Sequence, residues 1–544
     1  MKRISALLAS LALAVTAVQP ALAKTALAHA SSDGISPVEV SQSIHHDVSR
    51  PLRDLAAAAG PAQPDTQHAQ PWRRFSTPNA AADAALQNIL DPDVQTAAAP
   101  LVSATVGLNF DGISVVSPTN PCHCAPPDTE GVVGAAQYVQ FVNTAFAVYD
   151  KATGALILGP VAGKTLWSGF GGGCQNNDDG DPIAQYDKAA NRWVLTQFSV
   201  STRPFLECVA VSTTSDATGS YNRYAFSYGN VQFNDYPKLG VWPDAYYVSY
   251  NIFNNGQTFA GAKACALDRT AMLSGASATQ VCFQGTPTTT PNGLLPSDLD
   301  GSTPPPAGEP NYFLGLNTPG TSVSGTTLNL WKFHVDFTHP LSSTFSGPTS
   351  INVGRYFLGC LSSGTCVPQL GTSQQLDSLG DRLMYRLAYR NFGRAAVLVV
   401  NHSVMVSATQ LGVRWYEIAI VNGSPILVQA GTVAPDTTSR WMGSIAMDKV
   451  GDLLLGYSAS SSSMHPAIRF TGRVLSDPAN TMEAEATLFQ GTGSQTGVSR
   501  WGDYSAMTVD PVDDCTMWYT NEYLRINSGN WRTRIFTLRF PNCH

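Results

Sequence analysis

Residues 439–457 read SRWMGSIAMDKVGDLLLGY, and residues 499–519 read SRWGDYSAMTVDPVDDCTMWY. Both stretches begin with Ser-Arg-Trp, continue to Ala-Met, pass through an Asp-containing turn and end in a strand that closes on an aromatic residue. The two copies are offset by 60 residues, from Trp441 to Trp501. Such self-similarity is typical of arrays in which each copy packs against its neighbours.

Weaker copies of this unit extend through the preceding sequence, with anchors at Asp128, Asp181, Asp244, Asp300, Asp381, Trp441 and Asp503. Between them, short apolar or β-branched runs alternate with Gly, Pro, Asn and Ser clusters, which is typical of strands and turns. The sequence therefore predicts an all-β fold, a β-propeller of about seven blades over residues 105–544. A β-sandwich has similar strands but does not require this period. The segment 106–110 is expected to pair into the last blade, because an open seam would expose sheet edges.

The N-terminus has the order of a signal peptide over residues 1–23. Lys2 and Arg3 precede an apolar run at 4–18 and a small-residue site, Ala-Leu-Ala, at 21–23. Residues 24–104, rich in Ala, Pro, Gln and His, predict a flexible leader with a short helical piece near 81–90. No later run approaches the roughly 20 apolar residues of a membrane helix. We expect a secreted or periplasmic monomer without a membrane span.

Ten cysteines in an oxidising compartment indicate a disulfide set. Close pairs in sequence are expected to form local bridges within blades: Cys174 with Cys208, Cys265 with Cys282, Cys360 with Cys366, and Cys515 with Cys543. The pairing of Cys122 and Cys124 stays open, and a soft metal at Cys122-His123-Cys124 is the alternative.

Composition and missing motifs exclude several classes of function. Only 13% of the residues are charged and the formal net charge is -7, so no basic field favours nucleic acid as a partner. The chain has no complete Gly-x-Ser-x-Gly elbow, His-Glu-x-x-His motif or phosphate loop. Serine hydrolases, zincins and nucleotide enzymes are therefore disfavoured.

Acidic residues recur where the innermost strands are expected to begin. A ring of carboxylates at the channel mouth would suit a hard cation, and calcium held by Asp128, Glu130 and Asp181 is the metal site that this pattern predicts. The alternative is that these Asp side chains cap turns through nearby backbone amides.

Arginine and aromatic residues are frequent in the second half of the chain. Guanidinium groups bind carboxylates in a bidentate manner and aromatic faces suit sugar rings, so an extracellular glycan, and in particular an acidic saccharide, is the expected ligand. The candidate ligand-binding residues are Arg386, Arg414, Tyr416, Asp244 and Asp381. In the alternative reading the arginines pair with Asp residues of the scaffold, which is favoured for Arg440 and Arg500 because they belong to the repeat.

Several stretches resemble those of large secreted bacterial proteins that lack an assigned activity, and this resemblance implies location and fold. They are NDYPK at 234–238, WPD at 242–244, RLMYR at 382–386, RWMGS at 440–444 and WGDYS at 501–505. Less specifically, the array is similar to sialidase-type propellers, whose sites combine an arginine cluster with a Tyr and Glu pair and an Asp acid/base. The chain lacks their Ser-x-Asp-x-Gly-x-Thr-Trp boxes, and no catalytic residue is carried over.

Three functions remain open: a saccharide-binding or adhesive propeller, a carbohydrate-active hydrolase or lyase, and a scaffold that contacts other envelope components. For the enzyme, Asp503, Glu417 or Glu522 would act as general acid or base and Tyr504 or Tyr416 as nucleophile or proton donor. Asp503 and Tyr504 are the strongest candidates, because they replace Gly443 and Ser444 of the earlier copy within a shared frame.

Overall fold

Short β-branched and aromatic runs separated by turns make most of the chain strand. The computed structural model describes residues 34–59, 89–95, 99–117, 124–290, 292–318 and 322–544. Its first elements are β1 (Glu39–Gln42), β2 (His45–Val48), α1 (Leu52–Ala59) and β3 (Thr105–Ser114). The predicted signal peptide, most of the helix predicted near 81–90, and Cys122 with His123 lie outside the described residues.

From residue 130 onward the strands form successive antiparallel meanders, named here units 1 to 7. Unit 1 comprises β4 (Glu130–Val133), β5 (Gln137–Val142), β6 (Ala145–Asp150) and β7 (Leu156–Ala162). Unit 2 comprises β8 (Ile183–Asp187), β9 (Arg192–Ser199), β10 (Leu206–Ser212) and β11 (Tyr221–Ser227). Unit 3 comprises β12 (Gln232–Val241), β13 (Ala245–Asn254), β14 (Thr258–Asp268) and β15 (Thr279–Gln284). Unit 4 comprises β16 (Leu295–Asp300), β17 (Asn311–Leu316), β18 (Ser324–His334) and β19 (Thr344–Phe357).

A short ribbon, β20 (Thr365–Gln369) and β21 (Thr372–Asp377), separates units 4 and 5 along the chain. Unit 5 comprises β22 (Met384–Asn391), β23 (Ala396–Ser407), β24 (Gln410–Val421) and β25 (Ser424–Val433). Unit 6 comprises β26 (Ser439–Met447), β27 (Leu453–Ser461), β28 (Met464–Arg473) and β29 (Ala486–Gln490). Unit 7 comprises β30 (Ala506–Val509), β31 (Met517–Tyr523) and β32 (Arg532–Arg539). Within the described residues, the remaining helices are α2 (Gly172–Asn176), α3 (Arg269–Ser274) and two 3-10 turns, Gly163–Trp167 and Pro340–Ser342.

The first strands of consecutive units contact one another, and β30 contacts β4, so the units close into a ring around a central axis. Strands β16 and β22 also pair in parallel and join units 4 and 5 into one sheet. Between units 6 and 7, the rings of Trp441 and Trp501 lie 5.9 Å apart, as expected for residues that fill the gap between repeated sheets. The predicted all-β propeller class is confirmed.

The seam of the ring is closed by the segment predicted for that role. Strand β3 pairs antiparallel with β32 and supplies the fourth strand of unit 7. The N-terminal part of the domain thereby covers an edge that would otherwise present unpaired backbone groups.

The leader was predicted to be flexible, but its described parts lie folded on the outer strands. Strand β1 extends unit 3 by pairing with β15, and β2 extends unit 2 by pairing with β11. Near residue 100, the Ala484 N–H donates to the Pro100 carbonyl at 2.7 Å. Outer strands have one unpaired edge, and a segment with little periodicity of its own becomes ordered by supplying partners to that edge.

All four predicted disulfides are present: Cys174–Cys208, Cys265–Cys282, Cys360–Cys366 and Cys515–Cys543. Cys124 is also disulfide-bonded. These bridges fit an oxidising compartment. None of the helices in the described ranges is long and apolar enough to cross a membrane.

Candidate functional site

The end of the axis at which the first strands begin is called here the upper mouth, and the opposite end the lower mouth. Asp128, Asp181 and Asp503 precede the first strands of units 1, 2 and 7, and their φ angles are 49°, 44° and 57°. Tyr236 of unit 3 and Met442 of unit 6 share this left-handed conformation, with φ of 55° each. Such φ values are uncommon outside glycine. This recurring backbone conformation therefore places one side chain from each of five units, 1, 2, 3, 6 and 7, near the upper mouth.

Lys238 lies at the centre of this group and is fully buried. Its Nζ lies 3.5 Å from the ring centroid of Tyr236 and 3.6 Å from that of Tyr504, and it donates to the Pro237 carbonyl at 2.6 Å. Burial lowers the pKa of Lys238 to about 7, against the opposing effect of the Asp181 carboxylate. An ammonium held between two aromatic faces is a cation–π arrangement.

The carboxylates around Lys238 are buried too. Burial raises the pKa of Asp128 well above its usual range, and the charges of Asp503 and Asp181 add to this effect. Burial, followed by the charge of Asp235, raises the pKa of Asp181 to about 7. The Tyr236 N–H donates to Asp181 Oδ2 at 3.1 Å and so fixes the orientation of that carboxylate. Two groups of opposite type, Asp181 and Lys238, thus titrate near neutral pH in one cluster.

Two arginines border the cluster, and both are ion-paired. Arg500 pairs with Asp503, with an Nε to Oδ1 distance of 3.2 Å for one of its hydrogen bonds. Arg382 donates through Nε and Nη2 to the two carboxylate oxygens of Asp381, at 2.8 and 3.2 Å. Its guanidinium also lies 4.5 Å from the Tyr236 ring centroid. These pairs hold the walls of the site.

Several polar atoms of the cluster have no hydrogen-bond partner among the described residues: Asp128 Oδ1, Tyr236 OH, Tyr504 OH and Glu522 Oε1. The residues are nearly inaccessible, with Tyr504 1% and Asp128 2% exposed. Buried polar groups are normally paired, and those that are not call for an explanation such as a bound molecule. The upper mouth therefore contains oxygen atoms to which a polar ligand could hydrogen-bond.

Five of the predicted site residues come together at this mouth or immediately beside it: Asp128, Asp181, Asp381, Asp503 and Tyr504. Glu130 lies just inside, buried, where burial raises its pKa well above the usual range. Lys238 and Arg386 act in the opposite direction on that carboxyl. Glu130 therefore links the upper mouth to the ion pairs deeper in the channel.

Arg386 does not form an open ligand site, contrary to the prediction. It is buried on β22, and its Nη1 and Nη2 donate to Asp298 and Asp300 at 2.7 and 2.6 Å. The cavity beside this cluster has a volume of about 20 Å³, room for about one water molecule. Arg386 is therefore already ion-paired, and the sequence alone does not show that these carboxylates lie next to it.

Arg414 and Tyr416 were also predicted to bind ligand, and the structure gives both of them scaffold contacts. Arg414 is fully buried on β24, ion-paired with Asp91 and 3.0 Å from Asp93 of the leader. The buried Tyr416 hydroxyl lies 2.8 Å from His402 Nε2, and the two rings stack. Both side chains serve the packing of unit 5 and the docking of the leader.

Asp244, Asp300 and Glu417 lie away from the upper mouth. Asp244 is in the turn between β12 and β13 and accepts a hydrogen bond from Tyr247 OH at 3.3 Å, and Asp300 ends β16. Both belong to the opposite ends of the first strands, so they are not members of the predicted carboxylate ring. Glu417 is on the third strand of unit 5, where it accepts from Gln429 Nε2.

Among the described residues, no group of three or more His, Cys, Asp or Glu side chains has an arrangement that could hold a metal ion. The calcium predicted at Asp128, Glu130 and Asp181 stays a prediction. The cations that lie among these carboxylates are Lys238, Arg382 and Arg500.

Lys238 and Tyr236 were not among the predicted site residues. The available signal was the match between two X-Pro pairs, Asp181-Pro182, which precedes β8 of unit 2, and Tyr236-Pro237, which lies within β12 of unit 3. The sequence pattern indicated Asp244 as the anchor of unit 3, but Asp244 follows β12 and lies at the opposite end of that strand from the upper mouth. Tyr236 is the residue equivalent to Asp181. It was overlooked because the anchors were chosen among acidic residues.

No family model matches this chain, and the search of curated proteins gave no match. Among solved structures, the chain is similar to an exo-β-1,3-galactanase from Phanerochaete chrysosporium with galactose, at 13% identity and a TM-score of 0.29, over 79% of this chain and 99% of the other. It is also similar to the N-terminal domain of Nup159, at 9% identity and a TM-score of 0.34, over 82% and 99%. An endo-arabinase from Bacteroides thetaiotaomicron VPI-5482 has 14% identity and a TM-score of 0.28, over 55% and 95%. These likenesses are remote and carry no argument about function.

Proposed function

We propose that this protein is a secreted propeller that binds a saccharide at its upper mouth. The observation that carries the proposal is the set of buried, unpartnered oxygens at Asp128, Tyr236 and Tyr504 around one axis. Sugar hydroxyls both donate and accept, so one ring can donate to a carboxylate and accept from a phenol at the same time. Few other ligand classes present such a dense alternation of donors and acceptors.

The geometry of the mouth supports binding with defined orientation. The two tyrosines come from units 3 and 7, with their ring centroids 5.3 Å apart, and Asp128 and Asp181 come from units 1 and 2. Polar groups converging from different strands of a rigid fold fix the orientation of a bound ligand. The ion pairs of Arg382 and Arg500 hold the walls of the site in place. Neither arginine hydrogen-bonds to the unpartnered oxygens of Asp128, Tyr236 and Tyr504.

A second candidate is glycoside cleavage at the same mouth. It is favoured by Asp181, whose pKa is raised to about 7 mainly by burial, beside other carboxylates whose charges oppose its ionisation. A general acid that keeps its proton near neutral pH next to a second carboxylate is the pair that glycoside hydrolysis requires. Asp181 would act as the acid, and Asp128 or Asp503 as its partner.

The test combines a glycan array with reducing-sugar release from a polysaccharide panel, using the full secreted chain. Binding without release supports the binding function, whereas release that is lost in Asp181→Asn supports cleavage. Asp128→Asn should strongly weaken either activity, while Asp150→Asn, at the end of β6 in unit 1, is the matched control. Absence of binding to every saccharide would leave the scaffold function and contradict the proposal.

A further inference from the structure

The upper mouth carries more carboxylates than cations. Its cations are Lys238, Arg382 and Arg500, and the acidic groups that interact with them or with one another are Asp128, Asp181, Asp235, Asp377, Asp381 and Asp503. Charges in a low-dielectric environment interact more strongly than in water. Burial raises the pKa of Asp128, Asp181 and Asp377, so part of this charge is neutralised by bound protons. The acidic groups that are ionised act directly on any charged group that enters.

Each cation of the mouth already has partners. Arg382 makes two hydrogen bonds to Asp381, and Arg500 is paired with Asp503. Lys238 has its ammonium between two tyrosine rings and donates to the Pro237 carbonyl. An anionic ligand that displaced Asp503 from Arg500 would leave a buried carboxylate without its cation, which is strongly unfavourable.

The vacant positions favour the opposite kind of ligand. Asp128 Oδ1 is an unpartnered acceptor on a residue that is 2% exposed, and the hydroxyls of Tyr236 and Tyr504 are also unpartnered. These groups lie close to the other carboxylates, because the charges of Asp128 and Asp503 act on both phenols. A donor fits this oxygen better than an acceptor does, and the charge of the neighbouring Asp503 favours a positively charged donor.

We infer that the upper mouth selects saccharides without acidic groups, and that affinity increases from uronate to neutral to amino sugar of the same backbone. This inference rests on the proposed saccharide-binding function and specifies its ligand class. The abundance of arginine in the sequence predicted an acidic saccharide. The present inference replaces that expectation, because Arg386 and Arg414 are ion-paired with carboxylates of the scaffold.

The experiment measures binding of the full chain to an array that carries neutral, amino and uronate forms of the same backbones, β-1,4-gluco and α-1,4-galacto oligomers included. For any backbone that binds, we expect the amino form to bind at least about tenfold more tightly than the uronate, a difference of about 1.4 kcal/mol. Higher salt should reduce this ratio, because screening weakens the charge discrimination.

Asp503→Asn keeps the shape of the side chain but removes its charge and leaves Arg500 without its partner, so it should reduce the amino-to-uronate ratio while neutral oligomers still bind detectably. Asp150→Asn removes the same charge from the end of β6 and should leave the ratio unchanged. Tighter binding of uronates than of neutral and amino forms would overturn this inference and leave saccharide binding intact. Binding of no saccharide in any form would overturn the proposed function itself.

Discussion

The ammonium of Lys238 lies 3.6 Å from the ring centroid of Tyr504, so a strand of unit 3 and the turn before the first strand of unit 7 meet across the propeller axis. The contact brings a cation from one unit to an aromatic face from another at the point where buried carboxylates also converge. Neither residue has a counterpart in unit 6, where the corresponding stretch reads Met442-Gly443-Ser444. The pair is a departure from the repeat and marks the candidate site.

The Tyr504 hydroxyl has no partner, and its removal should therefore affect binding rather than folding. For Tyr504→Phe we expect an unfolding free energy within about 0.5 kcal/mol of the wild type and saccharide affinity reduced about tenfold. Calorimetric titration and thermal unfolding of the same preparation give both quantities. A substantial loss of stability with unchanged affinity would show that the hydroxyl is part of the scaffold.

The matched control is Tyr246→Phe. The Tyr246 hydroxyl is buried and donates to Asp187 Oδ2 at 2.9 Å, away from the upper mouth. Loss of a buried hydrogen bond to a carboxylate should cost about 1.5–3 kcal/mol of stability. Its saccharide affinity should equal that of the wild type.

The leader is held on unit 5 by Arg414, whose pair with Asp91 is inaccessible to solvent on both sides. Arg414→Met leaves a buried carboxylate without its cation, so we expect a loss of about 3–5 kcal/mol in unfolding free energy and faster proteolytic cleavage around residues 89–95. Arg525→Met breaks a pair with Asp111 that is about half exposed and should cost less than about 1 kcal/mol. Equal effects of the two variants would argue against the role of Arg414 in docking the leader.

The repeat and the ring closure were predictable because they depend on local patterns. Strand runs, turns and the recurrence of Ser-Arg-Trp at 439 and 499 lie within single units, and the edge argument for β3 needs only the rule that a seam must be closed. The disulfides followed for the same reason, since each bridge joins residues close in sequence within an oxidising compartment.

Only those site residues were predictable that are acidic and occupy the anchor position of a repeat. Asp128, Asp181 and Asp503 were identified. Tyr236 was missed because unit 3 has a phenol, not a carboxyl group, at the equivalent position. The ion pairs were beyond reach: Arg386 pairs with Asp298 and Asp300 over 86 to 88 residues, and Arg414 with Asp91 over 323. A single sequence shows that an arginine is present but not which distant carboxylate it pairs with. Ion-paired arginines therefore cannot be distinguished in it from arginines that are available to a ligand.

The disulfides should contribute unequally because they close loops of different length. Cys515–Cys543 spans 28 residues and Cys360–Cys366 only 6. Loop-closure entropy predicts a loss of about 3.5 kcal/mol for the double alanine variant of the first and about 2 kcal/mol for that of the second. Urea unfolding of both double variants tests the ranking. If removal of Cys360–Cys366 proves the more damaging, native packing rather than chain entropy dominates.

The carboxyl of Asp448 should make stability fall as pH rises. It is buried in the turn after β26, and burial raises its pKa to about 6, even though it accepts hydrogen bonds from the Val450 and Asp452 N–H groups at 3.0 Å each. An unfolded Asp titrates near 3.9. A pKa that is higher in the folded state gives a contribution that is complete below about pH 4 and is lost as pH rises through about 6.

Asp448→Asn can still accept both backbone hydrogen bonds and does not ionise. Its stability relative to the wild type should therefore improve by about 2–3 kcal/mol between pH 4 and pH 8. Asp150→Asn should change with the opposite sign, because the hydroxyl and N–H of Thr153 lower the pKa of Asp150, and the stability that this provides is lost as pH falls. Chemical unfolding at several pH values measures both slopes, and parallel curves for Asp448→Asn and the wild type would mean that Asp448 ionises as freely in the folded protein as in the unfolded chain.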